Sequence, residues 1–493
     1  MSLVENVARN DAESPAVAAR TSDASGRIRT ELSALFGRLK AAQQKSGAPD
    51  YDARIHHLNK LERGVLARKH DIAKVLGLDF GNRSKHESFI AEVMLVLNEI
   101  KHARTHLHEW METDPREVSW MFMPARAEVI MQPLGVVGVI SPWNYPVQLA
   151  LAPLVGALAA GNRVLLKPSE LAPNTANLLN ELVRETFAED HVAVVTGGVD
   201  VAEAFSHLPF DHLVFTGSAC LGKIVMKAAA ENLVPVTLEL GGKSPAIVGE
   251  GYSVAQAAQK VMMGKCFNAG QTCIAPDYVL VPKGRADAFA EECRAAFKEM
   301  YPTVTENPDY TSIINNLHYE RLQSYLKEAR DHGAKLVELS TESPNPSARK
   351  MPPVLVMNAQ EGSLVMQEEI FGPILPIVTY ESMGDAIEYV NRRPHPLALY
   401  LFEYDHSRID RVLRETISGG VSVNETMLHI AQTDLPFGGI GPSGMGQYHA
   451  REGFETFTKK KSVFYQSRIN STGLLKPPYR SRIDFMLKFL LGK

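Results

Sequence analysis

A regular alternation of strand-like and helix-like segments between residues 135 and 240 most constrains how this chain can fold. Apolar runs rich in β-branched residues predict five strands, and apolar residues at three- and four-residue spacing predict helices between them. The predicted strands are 135–140, 163–167, 192–195, 212–216 and 234–240, and the predicted helices are 147–160, 175–187, 201–205 and 222–232. This pattern predicts an α/β fold with an open, mostly parallel sheet covered by helices on both faces. Such sheets bind ligands beyond the carboxyl ends of their strands.

Helical patterns precede this region, and a second α/β region follows it. Apolar residues recur at helical spacing from residue 26 to about 111, whereas residues 119–132 have the composition of extended structure. Further helices are predicted at 255–267, 285–300, 319–331 and 384–391, and further strands at 354–356, 421–424 and 456–465. The segment 302–353 is rich in Asn, Pro, Ser and Thr, which indicates looped surface. The first two dozen residues lack the apolar run of a signal peptide and are predicted to be unstructured.

Charge and cysteine content exclude several classes of function. The net charge is −4 and the pI is about 6.5, so there is no basic field to hold nucleic acid or an anionic membrane. The 4 cysteines in 493 residues form no C-x-x-C pair and no zinc spacing, which indicates a reducing cytoplasm. Residues 133–162 carry no charge, but prolines interrupt them, so they are predicted to be buried core rather than a membrane span. Three helical histidines are His102, His106 and His108, but no acidic or cysteine ligand falls in a recognised metal-site spacing with them, so no metal site is predicted.

Cys273 lies in a small, polar, glycine-containing turn and is the candidate nucleophile. A free thiol has a pKa of roughly 8.5, so little thiolate exists at neutral pH, although that thiolate is very nucleophilic. The cysteine therefore needs a base and a donor to the oxyanion that its attack creates. The alternative is a buried, inert thiol, which is the commoner fate of a cysteine.

Two polar residues that follow predicted strands have the chemistry that such a cysteine needs. Asn144 lies between two prolines in Pro142–Pro146, a rigid loop from which its amide can donate to an oxyanion. Glu239 ends the fifth predicted strand, and apolar surroundings there would raise its pKa and suit it to act as a general base. The alternative for Glu239 is a structural ion pair.

Two further turns have features of a dinucleotide site. Gly217–Lys223 stands between a strand and a helix, where glycines and a helix N-terminus can hold phosphates. It resembles a Walker A loop, but Ile224 replaces the magnesium-binding hydroxyl residue, which favours a dinucleotide pyrophosphate. Lys167–Glu170 follows the second strand, where an acid can accept hydrogen bonds from a ribose diol, and the alternative is an ordinary turn into a helix. The G-x-G-x-x-G at 439–444 lacks a surrounding βαβ unit and is interpreted as a glycine-rich loop.

Six motifs together resemble the aldehyde dehydrogenase superfamily in order and spacing across nearly the whole chain. They are Pro142–Pro146, Lys167–Glu170, Phe215–Ser218, Leu238–Lys243, Gly270–Cys273 and Glu368–Pro373. Two later segments, Pro394–Tyr400 and Leu435–Gly446, are similar to the class 3 branch. The tail at Leu474–Tyr479 is similar to the bacterial coniferyl aldehyde dehydrogenases.

The resemblance implies NAD(P)-dependent oxidation of an aldehyde to a carboxylic acid. Cys273 would attack the aldehyde, Asn144 and the Cys273 amide would stabilise the thiohemiacetal oxyanion, and Glu239 would activate the water that hydrolyses the thioester. NAD is the implied cofactor, because Glu170 would bond the free 2′-hydroxyl and repel a 2′-phosphate, and NADP is the alternative. The cofactor-binding residues that the resemblance implies are Trp143, Lys167, Ser169, Glu170, Gly217, Ser218, Gly222, Glu369 and Phe371.

A planar aromatic, coniferyl-type aldehyde is the predicted substrate, and Tyr145, Met427 and 429–433 are expected to line its tunnel. Medium-chain aliphatic aldehydes are the alternative substrates, and a cysteine acyl-hydrolase or a catalytically silent scaffold are the competing functions.

The resemblance also implies three domains and a homodimer. The NAD(P)-binding domain of Rossmann type comprises residues 1–112 and 135–240, the catalytic domain 241–440, and the β-ribbon oligomerisation arm and C-terminal tail 113–134 and 441–493. The apolar patch Phe485–Leu491 is far shorter than the roughly 20 residues that a membrane span requires, so no stable membrane insertion is expected.

Overall fold

The structure is a computed structural model that describes residues 15–470, 472–479 and 481–492. Its α-helices are α1 (Pro15–Ser46), α2 (Tyr51–Phe80), α3 (Lys85–Ser88), α4 (Leu95–Met111), α5 (Gln148–Ala159), α6 (Pro173–Thr186), α7 (Val199–Ser206), α8 (Ala219–Ala230), α9 (Val254–Cys266), α10 (Ala286–Met300), α11 (Asn316–Asp331), α12 (Leu364–Gln367), α13 (Met383–Asn391), α14 (His406–Glu415), α15 (Leu428–Ala431), α16 (Ala450–Thr456) and α17 (Ser481–Leu491). A π-helical turn, Phe89–Met94, joins α3 to α4, and short 3₁₀ turns lie at Trp120–Phe122, Phe267–Gly270 and Thr472–Leu475.

The strands form three separate sheets within the described residues. They are β1 (Asp114–Arg116), β2 (Arg126–Pro133), β3 (Val136–Ile140), β4 (Arg163–Lys167), β5 (Val192–Val194), β6 (His212–Thr216), β7 (Val236–Glu239), β8 (Pro245–Val248), β9 (Tyr278–Pro282), β10 (Lys335–Glu338), β11 (Val354–Met357), β12 (Ile374–Tyr380), β13 (Ala398–Phe402), β14 (Gly420–Val423), β15 (Gly444–Met445) and β16 (Thr458–Tyr465).

The five strands predicted between residues 135 and 240 form one parallel sheet, in the order β7-β6-β3-β4-β5. The short β15 adds an antiparallel edge to β7. Every residue of β3 and β6 is buried, as expected for strands covered by helices on both faces. The register pairs Ile140 with Lys167 and Thr216 with Glu239, so the loops after β3, β4, β6 and β7 leave the sheet at the same edge. The predicted α/β fold class is confirmed.

The second sheet has seven strands in the order β10-β11-β12-β9-β8-β13-β14, and only β10 is antiparallel to its neighbour. The sequence predicted β11 and β14 but missed β8, β9, β10, β12 and β13. Most residues of the missed strands β8, β9 and β13 are buried, so the apolar and polar residues do not alternate along them. A short, continuous apolar run cannot be distinguished from a buried helix by its periodicity.

The third sheet is an antiparallel ribbon of β1, β2 and β16. β2 and β16 pair from Pro133 with Thr458 to Arg126 with Tyr465, so two segments far apart in the sequence meet here. β16 lies at one edge of this ribbon, where Phe464 is exposed.

The N-terminal segment predicted to be unstructured lies partly outside the described residues. Residues 1–14 are outside them, and α1 begins at Pro15, inside that segment. Among the helices that the structure describes, none has the length and hydropathy needed to cross a bilayer.

Candidate active site

A cavity of about 200 Å³ opens at the carboxyl edge of the six-stranded sheet. Eight of the sequence-predicted residues line it, namely Trp143, Asn144, Gly217, Ser218, Glu239, Cys273, Glu369 and Phe371. They come from the loops after β3, β6 and β7, from the turn after α9 and from the segment before β12. Lys167, Ser169, Glu170 and Gly222 lie outside this lining.

A left-handed turn connects the end of α9 to Cys273. Three consecutive residues, Asn268, Ala269 and Gly270, have positive φ angles of 49°, 51° and 74°. A Cβ at Gly270 would lie 2.5 Å from the Gly372 carbonyl oxygen, so this position requires glycine for space as well as for conformation. Gln271 fixes the turn through its side-chain amide. The amide nitrogen donates to the main-chain carbonyl oxygen of Asn268 at 3.0 Å, and the amide oxygen accepts from the Ile314 N–H at 2.9 Å.

The Cys273 thiol is half-buried on the wall of the cavity. Burial raises the pKa of the thiol well above its ordinary value, and the Glu369 and Glu239 carboxyls raise it further. Hydrogen bonds from the backbone N–H groups of Cys273 and Ile274 act in the opposite direction. The thiol therefore carries its proton at neutral pH, and an attack on a carbonyl requires a base.

Glu239 ends β7 as a buried carboxyl, with 2% of its surface exposed. Neither of its oxygens has a hydrogen-bond partner within the described part of the chain, which rules out the structural ion pair. Burial raises its pKa well above the ordinary value, as the sequence analysis expected. An unpartnered carboxyl of this kind is a strong base whenever it loses its proton.

Asn144 is buried in the loop after β3, and its side-chain amide donates to the Gln271 carbonyl oxygen at 3.3 Å. The Asn144 carbonyl oxygen accepts hydrogen bonds from Arg83 at 3.0 Å and from the Asn268 amide at 3.1 Å. The loop that holds Asn144 and the turn that holds Cys273 are therefore joined directly. Tyr145 is buried as well, and its hydroxyl lies 2.7 Å from the Thr272 hydroxyl.

The turns after β4 and β6 lie beside this centre. Lys167 is buried, and its ammonium donates to Glu170 and to the Pro168 carbonyl, both at 3.0 Å. The Ser169 hydroxyl accepts from the Leu171 N–H at 3.2 Å within the same turn.

In the turn after β6, Ser218 caps α8 by accepting a hydrogen bond from the Leu221 N–H. Gly222, which is predicted to contact the cofactor, is also closely packed, because a Cβ added there would lie 2.7 Å from Leu240.

Glu369 and Phe371 form the opposite wall of the cavity. The Glu369 carboxyl lies against Gly241. A Cβ added at Gly241 would lie 2.0 Å from Glu369 Oε2. Burial and the nearby Asp277 raise the pKa of Glu369 to about 8. Phe371 has a left-handed φ of 50°, and its ring meets Trp143 edge-on with the centroids 5.3 Å apart.

Several lining residues were missed by the sequence analysis. His318 and Arg321 project from α11, one turn apart, and Thr216 ends β6. The His318 ring lies 5.0 Å from the Trp143 ring, and burial lowers the pKa of His318 to about 4. In the sequence, Arg321 lies on the predicted helix 319–331 and His318 stands just before it, and no motif includes either residue. No group of three or more His, Cys, Asp or Glu side chains in the described ranges is arranged to hold a metal ion.

Comparison with known proteins shows which family has this arrangement. The model of the "Aldehyde dehydrogenase family" matches residues 8–463. A "Probable coniferyl aldehyde dehydrogenase" of Pseudomonas aeruginosa is 51% identical over 454 residues, covering 92% of this chain and 95% of that protein. "Aldehyde dehydrogenase family 3 member A2" of Mus musculus is 39% identical over 459 residues, covering 92% and 93%. The solved substrate-bound structure of Staphylococcus aureus AldH is 40% identical with a TM-score of 0.88, covering 92% of this chain and 98% of that chain.

The resemblance inferred from six motifs is thus confirmed along the length of the chain. With its family match, its relatives and its fold in agreement, this chain belongs to the aldehyde dehydrogenase family.

Proposed function

We propose that this protein oxidises an aromatic, coniferyl-type aldehyde to the carboxylic acid, with NAD as the hydride acceptor and NADP as the alternative. The observation that carries the proposal is the meeting of Cys273, Glu239 and Asn144 around one cavity at the carboxyl edge of the sheet. The choice of substrate is supported by the 51% identity to a relative named for coniferyl aldehyde.

In the first step, the Cys273 sulfur bonds to the aldehyde carbon, and the carbonyl π electrons move onto oxygen. Glu239 first releases its own proton to solvent, because burial favours its neutral form. Its unpartnered carboxylate oxygens then take the thiol proton, which is afterwards lost to solvent. The amide of Asn144 and the backbone N–H of Cys273 stabilise the oxyanion, a contact whose loss typically costs about 10²–10³ in rate.

Bound NAD would supply the hydride acceptor. Loss of a hydride from the carbon bonded to the Cys273 sulfur would leave a thioester. Glu239 then takes a proton from water, the resulting hydroxide attacks the thioester carbon, and the carbon–sulfur bond breaks to release the acid and free Cys273.

The residues present fit a dinucleotide. The Thr216 hydroxyl and Glu369 Oε1 line the cavity as buried polar atoms without partners in the described residues, so both are free to bond ribose or amide groups. Ser218 and Gly217 would receive the pyrophosphate at the start of α8. Lys167 and Glu170 would hold the adenine ribose, with Ser169 in the same turn, and Trp143, Glu369 and Phe371 would hold the nicotinamide end. Gly222 would end the turn that meets the pyrophosphate.

We further propose the three-domain division 1–112 with 135–240, 241–440, and 113–134 with 441–493. One sheet corresponds to each division, except that β15 of the tail joins the first sheet. A homodimer assembled through the β1-β2-β16 ribbon is supported by the edge position of β16. A cytoplasmic location is supported by four cysteines that are all free thiols.

The decisive assay measures reduction of NAD and NADP by purified protein with coniferyl aldehyde, benzaldehyde and a series of aliphatic aldehydes. The proposal expects the largest kcat/KM with coniferyl aldehyde and NAD. A larger value with medium-chain aliphatic aldehydes would contradict the substrate. Thioester hydrolysis without nicotinamide reduction by any aldehyde would instead indicate a cysteine acyl-hydrolase.

Two variants test the assigned roles in the same assay. Cys273→Ala should abolish turnover. Glu239→Gln should lower steady-state turnover by about 10²–10⁴-fold, the usual contribution of general base catalysis, and should accumulate acyl-enzyme that rapid-quench mass spectrometry detects. A Glu239→Gln protein without a covalent species would argue against the role in deacylation.

A further inference from the structure

Arg83 is a buried arginine behind the candidate active site. Its side chain has 0% exposure, and its Nη1 donates to Glu92 Oε1 at 2.9 Å and to the Asn144 carbonyl oxygen at 3.0 Å. The guanidinium lies over the rings of Phe80 and Tyr145, 4.8 and 4.9 Å from their centroids. One nitrogen thus links a charged partner to the main chain of the residue proposed to bind the oxyanion.

Glu92 extends this link to the other end of the Asn144 loop. Its Oε2 accepts hydrogen bonds from the N–H groups of Val147 and Gln148, at 3.0 and 2.7 Å, where α5 begins. These N–H groups have no helical partner at a helix start, so the carboxylate satisfies them and fixes where the loop ends. Arg83 and Glu92 together hold the loop at Asn144 and at its junction with α5.

The turn that carries Cys273 is tied to the same loop. Asn268 Nδ2 donates to the Asn144 and Gln271 carbonyl oxygens at 3.1 and 3.2 Å, and the Asn268 N–H donates to Glu87 Oε2 at 3.1 Å. The Asn144 carbonyl oxygen therefore has two donors, one from Arg83 and one from the Cys273 turn. Loss of Arg83 leaves the Asn144 carbonyl oxygen with the Asn268 amide as its one remaining donor in the described residues.

We propose that Arg83, held by Glu92, is a positioning residue that fixes the Asn144 amide for the oxyanion. This inference rests on the proposed function of Asn144. Arg83 lines no part of the cavity, so it acts through Asn144 and not on the substrate. Displacement of a catalytic group by about 1 Å can lower a rate by about 10²-fold, and this effect sets the scale of the expected loss.

The test is a double-mutant cycle of Arg83→Met and Asn144→Ala, with kcat measured for coniferyl aldehyde oxidation. Asn144→Ala alone should lower kcat by about 10²-fold or more, as does loss of an oxyanion donor elsewhere. Arg83→Met should lower kcat by about 10–10²-fold in the parent enzyme. In the Asn144→Ala background it should change kcat by less than about twofold, since no amide remains to be positioned.

Arg54→Met is the matched control for loss of a buried arginine. Arg54 is buried to a similar degree and donates to the carbonyl oxygens of Pro49 and Ala159, both at 3.0 Å, the second at the far end of α5. It should lower the melting temperature without a comparable loss of kcat per folded protein. NADH binding, measured by fluorescence, should keep its Kd in both arginine variants.

Arg83→Lys keeps the inference testable if Arg83→Met does not fold. Only Nη1 of Arg83 bonds to a partner in the described residues, because Nε and Nη2 have none, so one ammonium can replace much of its function. Arg83→Lys should retain a higher kcat than Arg83→Met. The decrease in kcat that Arg83→Lys causes should again disappear in the Asn144→Ala background.

Equal losses from the Arg83 variants in both backgrounds, or no loss in the parent, would overturn the positioning role and leave the proposed function intact. Full turnover by Asn144→Ala would overturn the proposed oxyanion role of Asn144 and, with it, this inference.

Discussion

At the scale of single residues, the site combines one thiol with two carboxyls in a small buried space. Burial raises the pKa values of Cys273, Glu239 and Glu369, and the carboxyls act on the thiol as well. All three groups are therefore favoured in their neutral forms before a cofactor or substrate enters. The arrangement lowers the stability of the folded protein at higher pH, because deprotonation in a buried site is unfavourable.

For the Glu369 carboxyl, the pH range of this loss of folded-state stability can be stated. Its pKa is about 8 in the folded protein against an ordinary value of 4.5, so the folded state binds the proton more tightly. Below pH 4.5 the carboxyl is protonated in both the folded and the unfolded state, so its burial does not destabilise the protein through ionisation. The destabilisation grows as the pH rises above 4.5 and reaches its full size above about pH 8. Glutamine cannot ionise. Glu369→Gln should therefore have a melting temperature only slightly above that of the parent at pH 5, and a larger increase over the parent at pH 8.

Thermal unfolding at both pH values measures this difference. Glu292→Gln, at an exposed position on α10, is the control and should show no such dependence. A Glu369→Gln protein whose melting temperature differs from the parent by the same amount at pH 5 and pH 8 would show that the carboxyl is not buried as described.

At the scale of elements, the site depends on how α9 ends. The left-handed residues 268–270 turn the chain sharply, so Cys273 faces the cavity and not the core. The same turn contacts the segment before β12, where Gly372 follows Phe371. Two walls of the cavity are thereby fixed by one close backbone approach.

Gly270→Ala should disrupt this approach. A left-handed alanine costs roughly 1–2 kcal/mol, and the Gly372 carbonyl would have to move away from the new methyl group. We expect a lower melting temperature and about a 10²-fold loss of kcat, because a small displacement of the nucleophile is costly. Gly251→Ala, where a Cβ meets nothing within 4 Å, is the control and should retain activity. Parent-like kcat in Gly270→Ala would contradict the rigidity of the turn.

At the scale of the whole molecule, the β1-β2-β16 ribbon joins two segments that are far apart in the sequence. Its edge strand β16 carries Phe464, which is 51% exposed and meets Phe122 edge-on at 6.1 Å. An exposed edge strand with an apolar side chain favours pairing with a second chain. This is the physical basis of the proposed homodimer.

Light scattering after size exclusion should give about twice the chain mass of 54.3 kDa. Phe464→Asp should shift the protein towards the monomer, because burying an unpaired charge at an interface is unfavourable. Leu78→Asp, at an exposed position on α2, should leave the mass unchanged. A monomeric parent protein, or a Phe464→Asp variant of unchanged mass, would argue against this interface.

The sequence by itself determined the parallel sheet and the residue types of the site. The strands β3 to β7 were predictable because each is bounded by turns and alternates with a helical pattern, which are local properties of the chain. Cys273, Asn144 and Glu239 were identifiable because each lies in a short motif at the end of a predicted element. The geometry of parallel strands predicts that the loops after these strands lie at the carboxyl edge of the sheet.

Only the tertiary structure decided the environment of those residues. The link from Arg83 to Asn144 joins residues 61 positions apart in the chain. The lack of a partner for Glu239 in the described residues likewise depends on which segments pack around it. His318 and Arg321 were missed because a helix face has no local signal for the cavity that it will border. Burial, which raises the pKa of Glu239 and of Cys273, is a property of the assembled core, so no single stretch of sequence contains it.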